Sequence, residues 1–406
     1  MATQTDADFL NDPRFNRTFE YTPSGNTSGP LKIKYADYGY RNEAHPEQER
    51  IMLFSGPLMG SRLVLATKDA LAIKHKIRII STDRPGMGGT DAVAPKDRLT
   101  VWRDAIPALL HHLHIPHLHI ILTHSGGTVY ALDLLLHHPT LLLPNPPSPS
   151  PSPVPPSPST PPQPQDTRTL LALGAPWILP THTSSLPLSL LQSLPASLIS
   201  HTDKLVRLVG GHVAPALGTS AGVLGRLGGA SALWSGVSVG SGGDVGEEGG
   251  TDGVGGGGGG GSAAVKEEER VWPGVMKRIY EEGVVGVSDD ALLLLQRGAG
   301  AEGGWGGWGD YDALVPRLAE GLRAAGRRVR LEVFYAETDT LTGDGGVASK
   351  AGKWFDGLWE GGVRDVVDYG SRTVKGADHD GIWWLRWGAV QQVFEAAGGS
   401  GERDEA

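Results

Sequence analysis

The sequence contains no cysteine among its 406 residues, which excludes disulfides, thiolate-bound zinc and a cysteine nucleophile. Any covalent nucleophile is therefore an oxygen or a lysine amine. Basic residues are in deficit: 36 Lys and Arg stand against 45 Asp and Glu, for a formal charge of −9. Gripping a phosphate backbone or an anionic lipid surface needs clustered Lys and Arg, so neither nucleic acid nor membrane is an expected partner. No segment supplies the uninterrupted apolar run of about 18 residues that a membrane span requires. The first residues, MATQTDADFLNDPRF, are acidic where a secretory signal needs a basic start and an apolar stretch. The expectation is a cytoplasmic protein.

Glycine and proline, by contrast, are abundant at 59 and 29 residues, and much of the excess sits in two runs. From Pro144 to Gln165 there are 12 prolines in 22 residues, mostly alternating with Ser. Proline lacks a donor and fixes φ, so no packed element can form there. From Ser235 to Ser262 glycine dominates with a few acids, the composition of a flexible coil. No strand feeds that run and no Gly-Lys-Ser/Thr closes it, which argues against a phosphate-cradling loop.

Outside the two runs the periodicities are those of a globular chain. Leu31–Tyr35 alternates apolar and polar as a half-buried strand does. Ile51–Phe54, Ile77–Ile80, Leu118–Leu122 and Leu170–Leu173 are short apolar runs closed by turn residues, as buried parallel strands are. Helical spacing over 100–114 and from Ser125 through Leu136 places helices between strands. Further on, the pattern predicts a helix over 312–325, a strand over 329–335, a last strand near 364–369 and a helix over 382–397. The fold class expected is α/β, a doubly wound and mostly parallel sheet. Residues 1–30 read as a polar N-terminal segment, and 31–180 with 301–397 as the core, interrupted by the Pro/Ser-rich insertion at 144–165. Residues 181–300, with short helical patterns at 188–194 and 271–280, read as an inserted helical cap split by the Gly-rich insertion at 235–262.

Strand, tight turn, serine, two glycines and helix follow in order across Leu118–Tyr130. This is the arrangement that lifts a serine hydroxyl above a sheet at a helix N-terminus, where the Gly126 N–H can help hold an oxyanion. Thr123 stands where G-x-S-x-G has its first glycine, and its branched side chain must fit a crowded turn. Together, Thr123-His-Ser-Gly-Gly127 and Asp83-Arg-Pro-Gly-Met-Gly88 resemble the α/β-hydrolase superfamily, most nearly uncharacterised fungal members, some of which serve secondary metabolism.

The resemblance implies a chain order of serine, acid, histidine. Asp339, just past the strand ending at Tyr335, stands where the family places its acid, with Asp310, Asp312 and Asp344 as rivals. His379, in Gly376-Ala-Asp-His-Asp-Gly381 after the last strand, stands where the family places its base. Asp378 and Asp380 would raise its basicity if their carboxylates lie near. The family draws a second oxyanion donor from the loop after the strand ending at Phe54. Pro57 has no N–H to give, so Leu58 is the candidate.

Eight histidines between His111 and His138 invite a metal reading, but His111 and His114 share a helix face without a third ligand, and His117 and His119 belong to the next loop and strand. No metal and no cofactor is expected. The tryptophans at 305, 308, 354, 359, 383, 384 and 387 read mostly as packing. What the resemblance implies is a serine hydrolase acting on an ester, thioester or amide of a small molecule through an acyl-enzyme at Ser125, with His379 as base and Asp339 as its orienting acid. An acyltransferase, a C–C lyase or a condensation catalyst would use the same site, and a non-enzymatic ligand-binding member would keep the fold alone.

Overall fold

The computed structural model describes residues 9–24, 29–145, 168–185, 189, 192–193, 261–297, 305–339, 341 and 345–398. Eight strands form one sheet: β1 (Arg17–Tyr21), β2 (Leu31–Gly39), β3 (Arg50–Ser55), β4 (Ile77–Thr82), β5 (Ile120–His124), β6 (Thr169–Gly174), β7 (Val329–Ala336) and β8 (Val367–Val374). Their order is β1-β2-β4-β3-β5-β6-β7-β8. β2 runs antiparallel to both β1 and β4, and every other pairing is parallel. β4, β5 and β6 are buried at every position, because helices cover both faces, and this is why they read as unbroken apolar runs.

The helices are α1 (Asp69–Lys74), α2 (Arg98–His112), α3 (Gly127–His137), α4 (Gly261–Glu282), α5 (Val287–Leu294), α6 (Tyr311–Ala324), α7 (Lys350–Gly357) and α8 (Ala389–Ala397). Strand alternation sorts the core into two layers. Leu53, Ile121, Leu171 and Leu331 pack with apolar residues of α2, α3, α6 and α7. Met52, Phe54, Ile120, Leu122 and Leu170 face the other way and pack with α1, α4 and α8. Helices on both sides of a mostly parallel sheet make the doubly wound α/β architecture that the sequence pattern leads one to expect.

Four elements depart from the sequence reading. β1 lies within the segment read as polar. It is an edge strand with only Phe19 and Tyr21 half-buried, so it carries little apolar signal. α4 is much longer than the pattern at 271–280, because Ala263-Ala264 and the Lys/Glu/Arg run after them are strong helix formers. The last strand is β8, displaced toward the C-terminus from the 364–369 expected. The helix expected over 382–397 is confined to α8, because Gly388 sits at φ 75 and ends the preceding short turn at Leu385–Trp387. The Pro/Ser-rich run beyond Asn145, the Gly-rich run before Gly261, and most of 188–194 lie outside the described residues.

A buried ion cluster ties α5 to the core. Asp290 is fully buried and its Oδ1 accepts from Arg98 Nη2 at 2.7 Å, Arg98 Nε at 2.9 Å and Tyr130 Oη at 2.6 Å. Arg84 Nε lies 2.9 Å from Oδ2. Burial would push this carboxyl up, but the two guanidiniums hold it below the usual carboxylate range. Removing one partner of such a set strands buried charge. Asp290→Ala is therefore expected to lower the unfolding free energy by about 3–5 kcal/mol. Denaturant titration checks this, and a variant as stable as the parent would show that α5 is not held in this way.

Candidate active site

The site lies at the carboxyl ends of the parallel strands, where doubly wound sheets place their ligands. β5 ends at His124, and the next residue, Ser125, turns the chain into α3 with φ 49. That left-handed conformation costs a serine about 1–3 kcal/mol and persists only where its surroundings enforce it. Here the Ser125 N–H donates to the Gly174 carbonyl at 3.0 Å, and the Ser125 carbonyl accepts from Thr128 N at 3.0 Å and Trp177 N at 3.2 Å. Gly127 is required by contact: a Cβ there would stand 2.0 Å from the Ser55 carbonyl oxygen and 2.5 Å from that of Gly56. A Cβ on Gly126 would meet Leu294 of α5 at 2.6 Å. Thr123 fits the crowded turn, its hydroxyl 3.2 Å from that of Thr128.

The other two residues come from loops after β7 and β8. Asp339 follows β7, and its Oδ1 accepts from Leu341 N at 3.0 Å, which fixes the carboxylate. Gly345 packs so closely on this loop that a Cβ would lie 2.7 Å from Asp339 N. His379 follows β8. Its Nδ1 is 2.9 Å from Asp339 Oδ2 and its Nε2 is 2.8 Å from Ser125 Oγ. With the proton on Nδ1, that nitrogen donates to the carboxylate and Nε2 accepts from the serine hydroxyl. All three residues are 4% exposed. The structure thus brings Ser125, His379 and Asp339 into one hydrogen-bonded line. Gly126 is the N-cap of α3 beside it, with its N–H among the first amides of the helix that have no intrahelical acceptor. Leu58 lies half-buried in the loop after β3, whose Ser55 and Gly56 carbonyls abut Gly127.

The rival acids do other work or lie elsewhere. Asp310 caps α6 by accepting from Tyr311 N at 2.7 Å, and it pairs with His182 at 2.8 Å. Asp312 accepts from Ala313 N, and Asp344 lies outside the described residues. Of the two aspartates beside His379, Asp378 accepts from Gly381 N at 2.7 Å and so closes the turn.

Asp380 is half-buried, and among the described residues it forms the one grouping of possible metal-ligating atoms, with His124 and His379, all within 4.8 Å of one another. Both His379 nitrogens already hold other partners there. The histidines of α2 and the loop after it take no part in it. His119 is occupied as an acceptor for Ile51 N at 3.1 Å. Trp305, Trp308 and Trp359 are buried in packing roles. His124 and Trp383 also touch the site, although the sequence pattern assigns His124 no role of its own and Trp383 reads there mostly as packing. The only signal was a polar side chain at the end of an apolar strand.

No protein-family model matches the chain, and no curated protein matches it. Solved structures similar to it include an esterase from Exiguobacterium antarcticum, at 11% identity over 91% of this chain and 97% of that one, with a TM-score of 0.48. An α/β hydrolase from a Medee basin deep-sea metagenome library is 12% identical over 96% and 100%, with a TM-score of 0.48. An epoxide hydrolase from Vigna radiata is 13% identical over 94% and 97%, with a TM-score of 0.45. A reaction does not follow from likeness this distant. Among the described residues no helix is long and apolar enough to cross a membrane.

Burial disfavours the charged form of His379, but Asp339, Asp380 and Asp378 outweigh it and push the ring up to about 9. A value above the ordinary 6.5 means that His379 contributes stability fully present below that pH and lost as pH rises through about 9. Titration of the His379 ring by NMR is expected to give a midpoint well above 6.5, and Asp380→Asn should lower it. An unchanged midpoint in that variant would remove Asp380 from the account.

Proposed function

We propose that the protein is a serine hydrolase that cleaves an ester, thioester or amide of a small organic molecule through an acyl-enzyme on Ser125. The observation that carries this reading is the line Ser125 Oγ, His379 Nε2, His379 Nδ1, Asp339 Oδ2, spaced 2.8 Å and 2.9 Å at its two hydrogen bonds, with the serine on a left-handed turn. His379 takes the hydroxyl proton as Ser125 attacks the carbonyl, and Asp339 holds the ring's orientation and offsets the charge that forms on it. The Gly126 N–H is assigned to the developing oxyanion, with Leu58 N–H as its second donor. The imidazolium returns its proton to the leaving group, water attacks the acyl-enzyme with His379 again as base, and Ser125 is regenerated. Epoxide opening on this fold uses a carboxylate at the elbow, a position held here by Ser125.

Base catalysis needs neutral His379, whose fraction grows with pH, so kcat/KM should rise along an acid limb above the ordinary histidine range. In kinetic assays with activated acyl esters, Ser125→Ala and Asp339→Asn should each keep the fold and lose about 10⁴-fold in kcat. Asp310→Asn, which alters only a helix cap, should lose little. A Ser125→Ala variant as active as the parent would refute the mechanism. A crippled Asp310→Asn beside a mild Asp339→Asn would move the acid.

A further inference from the structure

Several backbone and side-chain bonds shape the His379 loop between β8 and α8. Thr338 N and Oγ1 both donate to the Ala377 carbonyl at 3.0 Å, and Trp384 N donates to the Gly381 carbonyl at 2.8 Å. Two side-chain bonds then cross between this loop and the last two residues of β5. His124 Nε2 lies 2.8 Å from the backbone carbonyl oxygen of His379, and Trp383 Nε1 donates to the Thr123 carbonyl at 2.9 Å. Trp383 also packs against the end of β6, where a Cβ on Gly174 would come within 2.4 Å of its ring.

Resting on the serine-hydrolase reading, we propose that His124 and Trp383 form a clasp that positions His379 against Ser125, with His124 as the principal positioning residue. A carbonyl oxygen only accepts, so His124 must carry its proton on Nε2. The two imidazoles stand 5.6 Å apart, and a cation at 124 would oppose the charge that His379 acquires in the reaction. Burial and the neighbouring His379 push His124 down to about 3, so it donates its hydrogen bond while staying neutral. The clasp runs from the residue before the nucleophile to the peptide of the base. It therefore couples the strained turn directly to the distance over which the proton moves.

The test replaces His124 with Gln, which keeps an N–H at a similar reach, and with Leu, which fills space without a donor. Misplacement of a reacting group by about 1 Å costs on the order of 10²-fold. His124→Leu is expected to lose about that factor in kcat with KM little changed and the melting temperature near the parent's. His124→Gln should recover most of the loss. In parallel, NMR follows the Nδ1 proton of His379, which should stay sharp in His124→Gln and broaden in His124→Leu. Equal kcat and equal NMR spectra in folded Gln and Leu variants would overturn the proposal. Should His124→Leu fail to fold, Trp383→Phe removes the other donor, and a parent-like kcat and Nδ1 signal there would overturn it equally. A parent protein without acyl-ester turnover would refute the hydrolase reading itself, while the Nδ1 signal would still report on the clasp.

Discussion

The left-handed turn at Ser125 is the constraint on which the rest depends. A serine adopts φ 49 only at a cost, and the neighbouring elements hold it there. β6 supplies the Gly174 carbonyl, the chain beyond it supplies the Trp177 N–H, and the end of β3 supplies two carbonyls against which only a glycine fits at position 127. These contacts exist because β3, β5 and β6 are adjacent parallel strands whose carboxyl ends lie side by side. Sheet order and the direction of the serine hydroxyl are thus one geometric fact.

Electrostatics follow from the same closeness. Three carboxylates surround His379, while the single carboxylate of Asp290 serves Arg84, Arg98 and Tyr130. Arg84 also stacks over the Tyr130 ring at 4.8 Å. Tyr130 lies one helical turn beyond Gly126, so the cluster that anchors α5 sits directly behind the elbow. Leu294 of α5 in turn presses on Gly126. In both places buried charge is set against a partner of opposite sign.

Much of this was legible in the sequence because it depends on local pattern. Central strands show as apolar runs wherever both faces are covered, as at Ile77–Ile80 and Leu170–Leu173. The elbow shows because its second glycine, Gly127, is dictated by backbone contact. Asp339 and His379 were named from the family resemblance, by their places soon after strands, and the two side chains meet in one hydrogen bond. What escaped was set by distant contact. β1 has almost no apolar face, and α8 is shortened by one residue, Gly388, in the left-handed region. Asp290 lies in the segment read as a cap and carries no local sign of its role, because its partners are 192 residues away at Arg98 and 160 away at Tyr130. His124 gave no sign of its bond to a loop 255 residues further along.

The most direct measurement is the site of reaction with a fluorophosphonate probe, mapped by peptide mass spectrometry on the folded protein. A serine deprotonated by a neighbouring imidazole attacks phosphorus and keeps the adduct, whereas ordinary surface hydroxyls do not react. The account predicts a single phosphonyl adduct, on Ser125. An adduct on another residue, or none on the folded protein, would contradict it.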